Sequence, residues 1–240
     1  NMTEPQAHIP TEVYLDFLGR TIEIHWNYHA ILMFSIWMVL VPFCVIAIRF
    51  FKPRPAKYGL TRKVAIRHAE WWWFSVHKVG LVIAVLASLG GVAVAMVVSG
   101  GFSGSVHAIF GLTTVILGCL QVISALFRGT HGGKYYGDAD PDDPSTWHGD
   151  HFDYTLRRRI FESYHKTSGY LTGFFAVGAV ASGLMQYPMP VLAVLAALTP
   201  IFFVIVWITL EFLGKHYDGY KAVYGPDPEF PRTKASRDLY

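Results

Sequence analysis

Five apolar blocks, near residues 26–51, 75–98, 105–127, 165–186 and 190–213, alternate with polar connections along the chain. Each is about 20 residues long, enough for a helix to cross a hydrocarbon core about 30 Å thick. The pattern predicts an all-α membrane protein with five transmembrane helices, called spans A to E in chain order. About 25 mostly polar residues precede span A, among them Glu4, Glu12, Asp16 and Glu23, and they are not the short basic flank of a cleaved signal peptide. Span A is therefore expected to be retained. No domain boundary is visible within the helical region.

Composition agrees: of 240 residues 52% are hydrophobic and 15% charged, where soluble domains carry about 25% charged residues. The placement of charge adds an orientation. Arg49, Lys52, Arg54, Lys57, Arg62, Lys63 and Arg67 fall between A and B; Arg128, Lys134, Arg157, Arg158 and Arg159 fall between C and D. The B–C and D–E connections carry no Lys or Arg, the N-terminal segment carries only Arg20, and the tail is basic again. Since Lys and Arg are retained on the cytoplasmic side, the N-terminus is expected outside and the C-terminus in the cytoplasm. The location expected is a bacterial inner membrane. The net charge of +3 resides in these loops, so membrane lipid is an expected partner and nucleic acid is not. Trp26 with Tyr28, and Trp71, Trp72 and Trp73, are expected in aromatic belts at opposite faces. Cys44 and Cys119 lie inside apolar spans and read as buried thiols rather than a disulfide framework. The long C–D connection, with "GGKYYGDADPDDPSTWHGDHFDY", has turn composition; function and disorder are both open for it.

Four of the eleven histidines lie in or just inside the spans: His29 on A, His77 on B, His107 on C and His165 on D. Polar ionisable groups at membrane depth are costly and mark candidate sites. Each sits near the start of its apolar span, and successive spans run in opposite directions. His29 and His107 therefore share the outer level, and His77 and His165 the cytoplasmic level. Paired imidazoles from facing helices suit haem, which takes one axial ligand on each face. Zinc wants four ligands, and neither level offers a carboxylate or cysteine to complete the set. Gly80, Gly111, Gly118, Gly169, Gly173 and Gly178 give room for a flat macrocycle or for close helix packing, and the two uses are compatible. Lys78, Lys166 and Arg128 are placed to pair with haem propionates or to anchor in lipid headgroups. His25, four residues before His29, lies outside the boundary marked by Trp26 and Tyr28 and reads as a surface residue. His131, His148 and His151 belong to the C–D connection and are expected in a solvated loop.

The segments "HAILMFSIWMVLVPFCVIAIRFFK" from His29, "FSVHKVGLVIAVLASLGGVAVAM" around His77, "HAIFGLTTVILGCLQVISALFRG" from His107 and "YHKTSGYLTGFFAVGAVASGL" around His165 together resemble the four-helix core of the cytochrome b561 family, in the version that elsewhere follows DOMON domains. One histidine per helix, the Leu120–Gln121 step and Arg128 closing the third helix carry the resemblance. It implies two haem b groups, the first and third histidines ligating one and the second and fourth the other, and it implies transmembrane electron transfer. It divides the chain into an extracytoplasmic segment (1–25), a b561-like core (26–186) with a cytoplasmic loop (128–160), a peripheral fifth helix (187–213) and a cytoplasmic tail (214–240). No DOMON module is read before span A, so the family's extracytoplasmic redox partner module is expected to be either absent or supplied by another chain in a hetero-complex.

With both axial positions filled by imidazole, a haem relays electrons rather than binding oxygen. The expected donor is a quinol or an ascorbate-like reductant, the latter met by Arg62, Lys63 and Arg67. The expected acceptor is a periplasmic cytochrome c, a copper protein or a dehydrogenase subunit. A non-catalytic anchor subunit is the alternative from a different class. Metal transport is a third, but the spans lack acidic residues at mid-membrane.

Overall fold

A computed structural model of the chain describes residues 9–57, 59–60, 64–134 and 136–237. A β-hairpin opens the described fold: β1 (Glu12–Leu15) pairs antiparallel with β2 (Arg20–Glu23), Val13 opposite Ile22. This hairpin was not anticipated in the polar N-terminal segment. Its alternation of half-buried and exposed positions is that of a strand with one covered face, and the Trp26 indole N–H ties it to the first span by donating to the Pro10 carbonyl at 2.7 Å.

Span A is one helical rod in three pieces: α1 (Trp26–Phe34), a π-helical section (Ser35–Leu40) and α2 (Val41–Phe50). Pro42 stands just after the π section. A proline has no N–H to give and its ring crowds the carbonyl four residues back, so the ladder before it widens rather than continuing as regular α. Next come α3 (Val64–Val98), α4 (Val106–Leu126), α5 (Leu156–Gln186) and α6 (Pro190–Phe212). Ser105 and Thr155 cap α4 and α5 by accepting from the N–H of Ala108 and Arg158, and Pro190 starts α6 at a position that needs no N–H. Five helices among the described residues are long and apolar enough to span a membrane, as the hydropathy pattern predicts.

Spans A, C and E begin and end within a residue or so of the expected limits. Spans B and D differ. Their helices start at Val64 and Leu156, well before the apolar blocks at 75 and 165, so His77 and His165 stand several turns inside their helices rather than at the heads. Hydropathy marks only the part of a helix that lies in hydrocarbon; the polar first turns of α5, with Arg157, Arg158 and Arg159, are helix as well.

The rod α1–α2 packs on α3, and α4 on α5 along their length, giving the four-helix bundle; α6 lies outside it against α2 and α5. Arg49 joins α6 to the bundle: its Nε donates to Glu211 at 3.0 Å and its guanidinium stacks 4.7 Å from the Trp207 ring.

The C–D connection folds, and so does the tail. They form a cap on the end of the bundle where α2, α4 and α6 finish. Leu60, Trp73, Trp147, Phe152, Tyr220, Val223, Tyr224 and Phe230 form its buried core, drawn from the A–B connection, the first part of α3, the C–D connection, the tail helix α7 (Gly219–Tyr224) and the segment before helix α8 (Pro231–Arg237). The Tyr220 hydroxyl donates to the Phe152 carbonyl at 2.7 Å and the Trp147 indole to Asp140 at 2.7 Å. Two loop backbones meet where Gly132 faces Gly149, both at positive φ; a Cβ on Gly132 would stand 2.2 Å from the His148 carbonyl oxygen, so only glycine fits. Trp73 is buried in this cap, not spread in a headgroup belt, and Trp71 stacks on it with centroids 5.7 Å apart.

Candidate functional site

At the hairpin end of the bundle, α1 brings His29 and α4 brings His107 together, with ring centroids 6.2 Å apart and ring planes at 87°. At the cap end, His77 of α3 and His165 of α5 meet at 6.1 Å. An iron about 2 Å from one nitrogen of each of two imidazoles sets ring centroids about 6 Å apart. Both pairs have this separation.

One ring of each pair has its tautomer fixed by a carbonyl, which only accepts. His107 Nδ1–H donates to Ala179 O at 2.8 Å, and His77 Nδ1–H to Cys44 O at 3.2 Å. The proton on Nδ1 leaves the Nε2 lone pair free, which is the metal-binding form of histidine, with its orientation held by the second nitrogen's bond. Edge contact with Trp26 steadies His29, centroids 5.9 Å apart, and Phe161 stacks on His165 at 5.1 Å.

The two levels are about 21 Å apart, and all four helices of the bundle agree on it at 1.5 Å per residue. On the first rod, His29 precedes by 15 residues the Cys44 that holds His77. On α3, His77 precedes by 14 residues Gly91, whose built Cβ would lie 3.8 Å from the His29 Nδ1. On α5, His165 precedes by 14 the Ala179 that holds His107. On α4, His107 precedes by 14 Gln121, whose amide nitrogen lies 4.0 Å from the Cβ position of Gly169, one turn beyond His165.

The surroundings of the cap-end pair fit a bound macrocycle. Gln121 Nε2, His165 Nδ1 and Ser168 Oγ are buried there without a hydrogen-bond partner, a costly state that a group with its own polar edge relieves. Away from that pair, Gly111, four residues past His107, and Gly173, eight past His165, are half-buried, yet a Cβ on either would meet nothing within 4 Å. The other glycines singled out by sequence serve close packing: Gly80 meets Cys44 Sγ, Gly118 meets Val85 and Trp37, and Gly178 meets Phe110. Among the described residues no group of three or more His, Cys, Asp or Glu side chains is arranged to hold a metal ion. Pairs of histidines suit a cofactor that brings its own equatorial donors.

The basic residues expected beside the cap-end pair take separate places. Lys78 and Arg128 both lie over the Phe74 ring, at 5.8 and 5.5 Å, one turn from His77. Lys166 reaches back to Glu162 at 3.7 Å. Glu162 is nearly buried and is shared with Arg158 at 2.9 Å, Arg232 at 3.8 Å and His151 Nε2 at 3.8 Å. His151 is thus buried in the cap, not in a solvated loop; its ring packs on His131 and Tyr224. Burial, and then Arg158, His131, Arg232 and Arg128, hold it well below the ordinary imidazole range. The aromatic residues of the connection and tail were the available signal, since a solvated loop has no use for Trp147, Phe152 or Phe230. His148 and His25 are surface residues, His25 lying 3.9 Å from Glu23. Arg62, Lys63 and the Arg67 side chain, the expected contacts of an ascorbate-like donor, lie outside the described residues.

The fold and its histidines define a class: a multi-pass α-helical membrane protein with an imidazole pair near each end of its bundle. Two curated proteins are similar to it in sequence. "Putative ferric-chelate reductase 1" of Xenopus laevis is 28% identical over 158 residues, 65% of this chain and 22% of that protein. "Ferric-chelate reductase 1" of Mus musculus is 32% identical over 102 residues, 42% of this chain and 16% of that protein. The chain therefore spans less than a quarter of the length of these relatives. No family model matches the sequence, and no solved structure matches it.

Proposed function

We propose that the chain is a di-haem b-type cytochrome that moves single electrons across the membrane, as the resemblance to the cytochrome b561 family implies. His29 and His107 hold one haem b, and His77 and His165 the other. A bound haem supplies a one-electron ferric/ferrous couple. The observation that carries the proposal is the repetition, at two depths about 21 Å apart, of one arrangement: facing imidazoles about 6 Å apart with one Nδ1–H of each pair held by a backbone carbonyl.

The chain's own groups set the properties of such a site. The carbonyls of Cys44 and Ala179 raise the basicity of the ligating nitrogens and fix ring rotation. Lys78 and Arg128 supply positive charge near the cap-end pair, where propionates need it. The apolar spans keep water from both levels. The basic connections support an orientation with the cap in the cytoplasm and the hairpin outside; in that orientation a quinol or ascorbate-like donor meets the cap end, and an acceptor meets the hairpin end. A ferric chelate joins the cytochrome c, copper protein or dehydrogenase subunit as acceptor, because the two relatives are named for ferric-chelate reduction.

Haem content of the purified protein, by alkaline pyridine spectrum, tests the reading. Two haem b per chain are expected, one in His107→Leu and one in His165→Leu, with none in the double variant. A wild-type protein without b-type haem removes the relay and leaves a membrane anchor subunit.

A further inference from the structure

Trp37 lies in the π-helical section of the first rod, eight residues past His29 and seven before Cys44, so it starts from the middle of the gap between the two histidine levels. It is buried in a small core with Ile36, Ala84 and Ala176, the two alanines leaving the space an indole needs. Its N–H donates to Ser88 Oγ at 3.0 Å, and that hydroxyl, wholly buried, donates to Ala84 O at 2.7 Å. The far edge of the ring, Cη2, lies 3.5 Å from the Cβ position of Gly118. Ser88 is three residues, about 4.5 Å, from Gly91, which marks the His29 level. Gly118 is three residues, about 4.5 Å, from Gln121, which marks the His165 level. The indole therefore spans depth: one edge is fixed near one level and the other reaches toward the second. A π section is a local departure from regular helix that recurs at functional sites, and a buried Trp–Ser bond in hydrocarbon fixes a single orientation of the ring.

We infer that Trp37 is the bridge between the two haem levels, a positioning residue whose ring carries the electronic coupling across the centre of the bundle. This rests on the di-haem reading. With haem held at both levels, one electron would pass from a ferrous to a ferric centre, exchanging their oxidation states, while the indole would be neither oxidised nor reduced and no proton would move. Ser88 keeps the ring aligned along the path, and Gly118 admits its far edge.

The test compares the full-length wild type with Trp37→Leu, Trp37→Phe and Ser88→Ala, each first checked for two haems and unshifted midpoint potentials. After flash reduction of one haem, equilibration with the other should be slower by about tenfold or more in Trp37→Leu, close to wild type in Trp37→Phe, and moderately slower in Ser88→Ala. A wild-type rate in Trp37→Leu with both haems present overturns the inference and leaves the di-haem reading intact. Wild-type protein with no haem overturns both. A second measurement does not depend on the Leu variant folding: the emission of Trp37, taken as wild type minus Trp37→Phe in haem-free protein, should be quenched when haem fills either level alone, in His107→Leu and in His165→Leu backgrounds. Emission that responds to one level only contradicts a bridge between them.

Discussion

Gly183→Ala tests the hairpin-end pair without touching a ligand. A Cβ at this position would lie 2.9 Å from both Cε1 and Nδ1 of His107, about half an ångström inside ordinary contact. The ring cannot yield freely, because its Nδ1–H is held by Ala179 O at 2.8 Å. Rotating away breaks that bond, at a net cost of about 0.5–1.5 kcal/mol. Loss of an orienting partner of this kind typically weakens metal ligation by about 10–100-fold, or about 1.4–2.7 kcal/mol. Alanine also improves the helix by about 1 kcal/mol, so the variant should fold with stability near that of wild type while its haem affinity falls at one level. Gly90→Ala is the control: Gly90 is exposed, and its Cβ would meet nothing within 4 Å. Haem titration into haem-free protein, read by absorbance, should show the hairpin-end site weakened about 10–100-fold in Gly183→Ala, the cap-end site unchanged, and both unchanged in Gly90→Ala. Wild-type titration at both sites in Gly183→Ala, or loss at the cap end first, refutes the reasoning.

The cap should loosen in mild acid. His151 binds its proton more weakly folded than unfolded, so the unfolded cap takes up more protons, and stability present at neutral pH is lost as pH falls below the unfolded imidazole value of about 6.5. The groups facing His151 are Arg158 and Glu162 of α5, Arg128 and His131 of the connection, and Arg232, Tyr220 and Tyr224 of the tail; Glu162, already shared by three other cations, does not offset the rest. Amide protection factors around Trp147, taken relative to the intrinsic exchange rate at each pH, should fall from pH 8 to pH 5 in wild type and change less in His151→Gln. Glu211→Gln removes the ion pair that fastens α6 to α2, whose two side chains are about one-third exposed; because such a pair is screened by solvent, only a small loosening of α6, seen as faster proteolysis after α6 with both histidine pairs undisturbed, is expected.

Hydropathy carries the five spans because length in hydrocarbon is a direct demand on sequence, and antiparallel order carries the meeting of His29 with His107 and His77 with His165. The same signal stops at the membrane boundary, which is why the early starts of α3 and α5 were not legible. The cap was hidden for a different reason: its core joins Trp147 and Phe152 to Tyr220 and Phe230, partners far apart in sequence with no periodicity, in a segment whose Gly, Pro and Asp content signals turns whether or not they pack. The Ser88 contact of Trp37 and the π section were equally unreadable, since they depend on how Pro42 displaces the turn before it.

Reconstitution in sealed vesicles tests the central claim most directly. With a membrane-impermeant reductant trapped at the cap face and a ferric chelate outside at the hairpin face, the proposed relay predicts reduction outside that requires the protein and is lost in both His107→Leu and His165→Leu. Equal reduction by wild type and either variant, with insertion verified, would contradict it.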